Sequence, residues 1–271
     1  LVYTSFSNSK HQIKTINMNK LIFAVLSLSL SFQAFSWGQT GHRVTAAIAE
    51  QHLSWKAKRV INKLLVNEDL AEVSTFSDEM RSNPSEFWKK TASPWHYVNV
   101  HEGKVYEKAP PEGDAVSALE MFSKQLKSKD SSREEKQLAL KFIVHIIGDL
   151  HQPFHSGTDK DRGGNSIKIK FFNEETNLHR VWDEHLIDNQ KLSYTEWTDK
   201  LNRKINKNSI KKWSQTDPRI WIAESTELRL GLYTEEENLF YNYRYKAIPI
   251  VKQQLTKGGV RIAAYLNEVF K

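Results

Sequence analysis

The chain of 271 residues has no cysteine. That absence excludes a thiolate nucleophile, a CxxC redox centre and any zinc site built on sulfur, so a transition metal would have to be held by nitrogen and oxygen. No His-Glu-x2-His helix is present, which argues against a zinc peptidase. Past residue 36 there is no Asn-x-Ser/Thr acceptor, because Asn83 is followed by Pro84. No internal repeat, low-complexity linker or composition shift divides the chain. At 39% hydrophobic and 26% charged residues the composition is that of a folded globular protein, long enough to bury a core without disulfide staples.

The one long apolar run lies near the start. Met18-Asn19-Lys20 is followed by Leu21 to Phe32 and then Gln33-Ala34-Phe35-Ser36 before Trp37. A short positive start, an apolar stretch too short to span a bilayer comfortably and small residues before a junction predict an export signal over 18–36, cut after Ser36. A membrane anchor is disfavoured because no charged stop-transfer run follows. Residues 1–17 read as an upstream extension. The formal charge of +7 shrinks accordingly: positions 1–36 hold Lys10, Lys14 and Lys20 and no acid, leaving 36 bases against 32 acids, or +4, over 37–271. The missing disulfides and glycosylation acceptors favour a bacterial route to the periplasm or the medium, with no stable membrane association and a monomeric chain expected.

Hydrophobic spacing is mostly helical. Val44, Ala47, Ile48 and Leu53 mark one amphipathic helix, and Ser54 is placed to cap a second that carries Ala57, Val60, Ile61, Leu64 and Leu65. Further helices are expected over 114–128, 134–150, 179–189, 193–206, 217–233 and 239–270, the last kinked or broken at Pro249 and Gly258-Gly259. Strand signals are confined to Trp95–Val100 and Ile167–Phe171, the latter after a Gly163-Gly164 turn. The fold class expected is mainly α, with a minor β-hairpin.

The chemistry concentrates in histidines and aspartates. His145 and Asp149 stand four apart in a strongly apolar helix, so both side chains share a face and can grip one ion. Pro153 then ends the helix and lets His155 fold back from a loop. The same spacing recurs at His179 and Asp183. A buried histidine bonded to a local acid would explain a single pair; two pairs plus a further histidine point to a metal, and an all-N/O ligand set suits zinc.

With these motifs the chain from Trp37 to the last helix resembles the S1/P1 nuclease family, zinc-dependent enzymes that cut single-stranded nucleic acids and are distantly related to bacterial zinc phospholipase C. The most specific element is the start Trp37-Gly-Gln-Thr-Gly-His42, because the family's N-terminal Trp binds zinc through its free α-amino group and carbonyl. The resemblance implies three zinc ions. Asp78, His96, His145 and Asp149 would hold the first, Trp37 and His42 the second with Asp149 bridging, and His155, His179 and Asp183 the third. His11, His52, His101, His151 and His185 have no counterpart in that pattern, and His151 and His185 are left for supporting or surface roles.

The resemblance also implies a reaction. Hydroxide generated between two zinc ions attacks phosphorus in line, leaving a 5′-phosphate and a 3′-hydroxyl, while Arg81, one turn from Asp78, neutralises phosphate oxygens. Tyr97 stands where the family stacks a base, and Asn165, in Gly163-Gly164-Asn165, where it hydrogen-bonds one. Fungal members have an Asp three residues after the ligand histidine, to orient the water; here it is Asn99, which can accept a hydrogen bond but not a proton. The expected substrates are single-stranded DNA and RNA and 3′-mononucleotides. A phospholipase C or broader phosphodiesterase with the same metals is the alternative enzyme. A silent zinc protein that binds nucleic acid is the alternative outside enzymology, disfavoured because the sequence shows no concentrated basic patch interleaved with aromatics.

Overall fold

The computed structural model describes residues 37–271. The leader expected over 18–36, the extension over 1–17 and His11 lie outside the described residues. The described chain is mainly helical, with small sheets. Among the described residues no helix is long and apolar enough to cross a membrane.

Four long helices lie in the first half of the described chain. Helix α1 (Gln39–Gln51) is more buried than an amphipathic helix should be: Gly41, His42, Val44, Thr45, Ala46, Ile48 and Ala49 all face protein, while Ala47 is only half-buried and Leu53 falls beyond the helix. Helix α2 (Trp55–Leu65) starts where Ser54 predicts, with the Ser54 hydroxyl accepting from Ala57 N–H at 3.2 Å. Helix α3 (Ala115–Lys127) and helix α4 (Arg133–Asp149) each open on a reciprocal capping box, Asp114 with Ser117 and Ser132 with Glu135. The second half of α4, from Phe142 to Asp149, is buried throughout, which carries His145 and Asp149 into the core.

The helix expected over 193–206 ends at Asn202 (α5, Tyr194–Asn202), and a further, unexpected helix, α6 (Lys207–Trp213), starts where the Asn206 side chain caps it. Helix α7 (Pro218–Leu230) follows. The last helix, α8 (Tyr241–Val269), runs unbroken through Pro249 and Gly258-Gly259, against expectation. Pro249 lies on an exposed face near Tyr245, where water can take the carbonyl that loses its helical partner. The two glycines serve packing. A Cβ on Gly259 would stand 2.5 Å from the Cβ of Ile48, and one on Gly258 3.1 Å from Thr45 Cγ2, so their bareness lets α8 lie against α1.

The strands tie loops together near the histidines. Trp95–Val100 does not form one strand: Ser93–His96 is a 3-10 turn entered through Pro94, and only Val98–Asn99 (β1) pairs, in parallel with Ser156–Gly157 (β2). That pairing fastens the loop after His96 to the loop after His155. Lys168–Phe171 (β3) and Glu174–Asn177 (β4) make the expected hairpin, joined by Phe172 and Asn173 at φ of 52° and 72°, and Asn238–Leu239 (β5) adds a parallel strand on the other side of β3.

The α1–α8 contact yields a stability prediction. Replacing Gly259 by Ala should cost about 1–3 kcal/mol through overpacking against Ile48. Gly231→Ala, where a Cβ meets only Leu228 O at 3.6 Å and φ is −86°, should be near neutral. Thermal melting of the two variants side by side checks this, and equal melting points would refute the packing role.

Candidate metal centre

Six separate stretches of chain deliver ligand-type side chains to one buried region. His42 comes from α1, Asp78 from the short helix Phe76–Glu79, His96 from the 3-10 turn, His145 and Asp149 from α4, and His155 from the turn Pro153–His155. His179 and Asp183 come from the helical segment that follows β4. Asp149 sits at the middle. Its Oδ2 is 3.1 Å from His145 Nε2 and 3.2 Å from His96 Nδ1; its Oδ1 is 3.2 Å from His42 Nε2 and 3.8 Å from His155 Nδ1. Asp78 lies on the same side, 3.8–3.9 Å from His145, His96 and His42. A second gathering places Asp183 3.1 Å from His179 Nε2 and 3.6 Å from His155 Nε2.

Donor chemistry shows that these groups suit a cation. His145, His155 and His179 each turn Nδ1 to a backbone carbonyl, of Ser74 at 2.7 Å, His96 at 2.6 Å and Gly163 at 2.6 Å. A carbonyl only accepts, so each Nδ1 donates, and in the neutral ring Nε2 then presents a lone pair. Those lone pairs face carboxylate oxygens. Asp149 Oδ1 and Asp183 Oδ2 are buried and make no hydrogen bond, although an imidazole nitrogen lies close to each. Acceptors facing acceptors inside a protein require positive charge between them. Three sets of side chains, His42/Asp78/His145, His96/His145/Asp149 and His155/His179/Asp183, bring ligand atoms within 4.8 Å of one another. Bond lengths of about 2.0–2.2 Å to nitrogen and oxygen put neighbouring ligand atoms in this range.

The titration behaviour has the same cause. Burial alone would raise Asp149, but His145 and His155 hold it well below the usual carboxylate range. Burial likewise works against charge on His155, yet Asp149 and Asp183 push it up to about 9. His96 is lowered to about 4 by burial, and His42 is lowered by burial and then by His145, so both rings are neutral donors at pH 7. The two carboxylates demand positive charge. His42 and His96 are held neutral, as ligation needs. Against burial, Asp149 and Asp78 raise His145, and Asp149 and Asp183 raise His155, so a metal ion would displace a proton from these two rings.

Around this region lie the other residues singled out from sequence. Trp37 is fully buried in the core, and the N–H of Gly38 donates to Asp183 O at 2.8 Å, fastening the start of the described chain to the His179–Asp183 segment. Arg81 Nη1 is 3.4 Å from Asp78 Oδ1 and largely covered. Tyr97, 40% exposed, and Asn99 line one cleft of about 500 Å³ with Pro94, His101, Tyr106 and Lys108. Arg81 and Asn165 are not among the residues lining it. Asn165 donates to Arg162 O at 2.9 Å, in the loop whose Gly163 carbonyl receives His179. Gly163 has φ of 58°, and a Cβ there would meet Phe154 O at 2.4 Å, so the loop requires glycine. None of the four remaining described histidines joins a ligand set. His52 pairs with Asn202, His101 with Asp159, and His185 with Thr176 while stacking on Phe171. His151 donates Nδ1–H to Ile147 O and accepts from Arg261 at Nε2.

Several supporting residues escape sequence reasoning. The Gln152 amide donates to Asp183 Oδ1, Ser225 Oγ to Leu150 O, Gln254 to His151 O, and Arg229 to Ser156 O and Val100 O. Arg261, 1% exposed, holds Glu224 with both Nη atoms at 2.8 and 2.9 Å. Together they satisfy the carbonyls of the segment that carries Asp149 and His155. The only signal in sequence was polar residues such as Arg229 and Arg261 interrupting otherwise apolar helix faces.

Known proteins are similar to this chain along the whole described length. A family model described as S1/P1 Nuclease matches residues 37–271. Endonuclease 2 of Arabidopsis thaliana is 28% identical over 95% of this chain and 98% of its own length, and Endonuclease 4 of the same plant is 30% identical over 88% and 90%. Nuclease S1 of Aspergillus oryzae is 29% identical over 91% and 96%. The chain belongs to the S1/P1 nuclease family, zinc-dependent enzymes that hydrolyse phosphodiester bonds.

Proposed function

We propose that this protein is an exported nuclease holding three zinc ions, which cuts single-stranded DNA and RNA to products with a 5′-phosphate and also removes the 3′-phosphate of mononucleotides. The observation that carries the reading is the convergence of three His/Asp sets, two of them sharing His145, with one buried oxygen of Asp149 and one of Asp183 left without a hydrogen bond. Asp78, His96, His145 and Asp149 would hold one ion, Trp37 and His42 together with Asp149 a second, and His155, His179 and Asp183 the third. Zinc bound there supplies Lewis acidity toward phosphoryl oxygens and lowers the pKa of water toward neutrality.

The chain's own side chains do the rest. Arg81, beside Asp78, donates to the phosphate oxygens and offsets charge that develops on them. Tyr97 offers an exposed ring at the mouth of the adjoining cleft, suited to stack any unpaired base, and Asn165 hydrogen-bonds a base edge. Asn99 orients water through its amide oxygen without removing a proton. The exposed Tyr97 ring and the Gly163-Gly164-Asn165 loop suit a base better than an acyl chain, which disfavours the phospholipase reading.

Three outcomes test the reading. Purified protein beginning at Trp37 should carry three zinc ions per chain by elemental analysis and convert denatured DNA to 5′-mononucleotides. Activity that survives exhaustive chelation would overturn the metal-based mechanism. Adding residues ahead of Trp37 removes a free α-amine, whose ordinary pKa of about 7.7–8.0 lets it ligate near neutrality, so an extended chain should lose one zinc and most activity. An extended chain with an unchanged zinc count would show that Trp37 is no ligand. In Asn99→Asp, the new carboxylate must be ionised to accept a proton, so the rate should fall on the acid side of its pKa; a pH–rate profile identical to the parent's would remove Asn99 from the water's surroundings.

A further inference from the structure

The excess charge of residues 37–271 is +4, and α2 by itself holds Lys56, Lys58, Arg59 and Lys63 with no acid. The other described residues sum to zero, with Lys200, Arg203, Lys204, Lys207, Lys211 and Lys212 forming a second run of cations without an acid. What sets α2 apart is the exposed indole beside its cations. In the linear sequence these cations are broken up by Ala57, Val60 and Ile61, which hides the pattern. Helical geometry sorts them: Ala57, Ile61 and Leu65 turn inward, while Trp55, Lys58, Arg59, Asn62 and Lys63 line one shallow outer depression of about 460 Å³.

Trp55 is 74% exposed, whereas Trp37, Trp182, Trp197 and Trp221 are fully buried. The Arg59 guanidinium lies 5.3 Å from the Trp55 ring centroid, keeping the indole upright beside positive charge. Stability alone does not favour this composition. Cations in a first helical turn oppose the macrodipole, and an indole left in water gains little from burial. Two of the cations have local company, since Lys58 also borders Glu50 and Asp69, and Lys56 reaches the Lys271 carbonyl. Arg59 and Lys63 make no ion pair among the described residues.

The patch is remote from the metal centre. Arg133, at the start of α4, donates to the carbonyls of Lys63 and Leu64 at 3.1 and 3.4 Å. With a rise of 1.5 Å per residue, Asp149 at the far end of α4 is about 24 Å away along that helix.

We propose that the outer face of α2 is a second contact for single-stranded nucleic acid, with Arg59, Lys63 and Lys58 on its phosphates and Trp55 against a base. The proposal rests on the single-strand reading above. Exposed cations interleaved with an aromatic ring are what sequence-independent single-strand binding uses. A lipid surface fits poorly, because the apolar side of α2, formed by Ala57, Ile61 and Leu65, is already spent in the core. A strand held here keeps its remaining nucleotides at high effective concentration near the metal centre, so long substrates gain affinity that short ones lack.

The test compares zinc-loaded parent with the triple variant Trp55→Ala, Arg59→Gln, Lys63→Gln, none of whose positions touches the metal ligands. Steady-state kinetics are measured on a long oligothymidylate and on a dinucleotide, each at several salt concentrations. On the long strand KM should rise about tenfold with kcat unchanged, as expected for loss of a stacked base and two phosphate contacts. The slope of log affinity against log salt should become shallower by about 1.4, at 0.7 per lost contact. Dinucleotide kinetics should stay within a factor of two. An unchanged KM on the long strand, or an equal loss on both substrates, overturns the α2 contact while leaving the single-strand reading intact. A parent that fails to cut either single strand sinks that reading itself, and the α2 contact with it.

Discussion

The constraint on which the structure turns is the buried carboxylate of Asp149. It lies at zero exposure between four imidazoles, within 3.8 Å of each. A charge in that position is costly unless positive partners surround it, and removing any one leaves the others overcharged. Much of the fold can be understood as the means of keeping that group in place. The apolar half of α4 carries it inward, and the carbonyls of Ser74, His96 and Gly163 fix the three rings that face Asp149 and Asp183. Side chains from α7 and α8 then occupy the carbonyls of the turn that follows.

This second layer explains why so many polar groups can lie in the interior of a chain without disulfides. Arg229 and Arg261 are almost wholly covered, yet their Nη atoms donate to backbone oxygens, a carboxylate or a ring nitrogen. Burial lowers His151 to about 3, helped by Arg261, so it serves as a neutral link between Ile147 O and the guanidinium. Rigidity that a cystine would otherwise provide comes here from charge-assisted hydrogen bonds, which are directional and leave ring orientations little freedom.

What was legible in the sequence follows the range of the interaction involved. His145 and Asp149, or His179 and Asp183, share a face because helical periodicity is local, and Ser54 caps α2 for the same reason. Pro249 and Gly258-Gly259 mislead because a breaker signal is also local, whereas the glycines answer to Ile48 and Thr45 more than two hundred residues away. Trp95–Val100 has strand composition, but Pro94 draws its first half into a turn and leaves two residues to pair. Gln152, Arg229, Gln254 and Arg261 were illegible because each acts on groups brought near only by the finished fold: the Asp183 carboxylate, backbone carbonyls, or Glu224 and His151. The outer face of α2 is hidden for another reason: Ala57, Val60 and Ile61 break up its cations in the linear sequence, and only helical geometry gathers Trp55, Lys58, Arg59 and Lys63 on one side.

The wide spacing of the ligand side chains, from His42 to Asp183, has a consequence for how the molecule comes into being. The His155/His179/Asp183 set lies within one short stretch, whereas the sets around His145 draw on α1, the Asp78 helix, the His96 turn and α4, so a partly folded chain would offer them only as isolated pairs such as His145 with Asp149. Completing those two sets requires contacts that form slowly because they span much of the chain. A metal ion that bound them would favour the native state over the unfolded one and so act as a ratchet against unfolding.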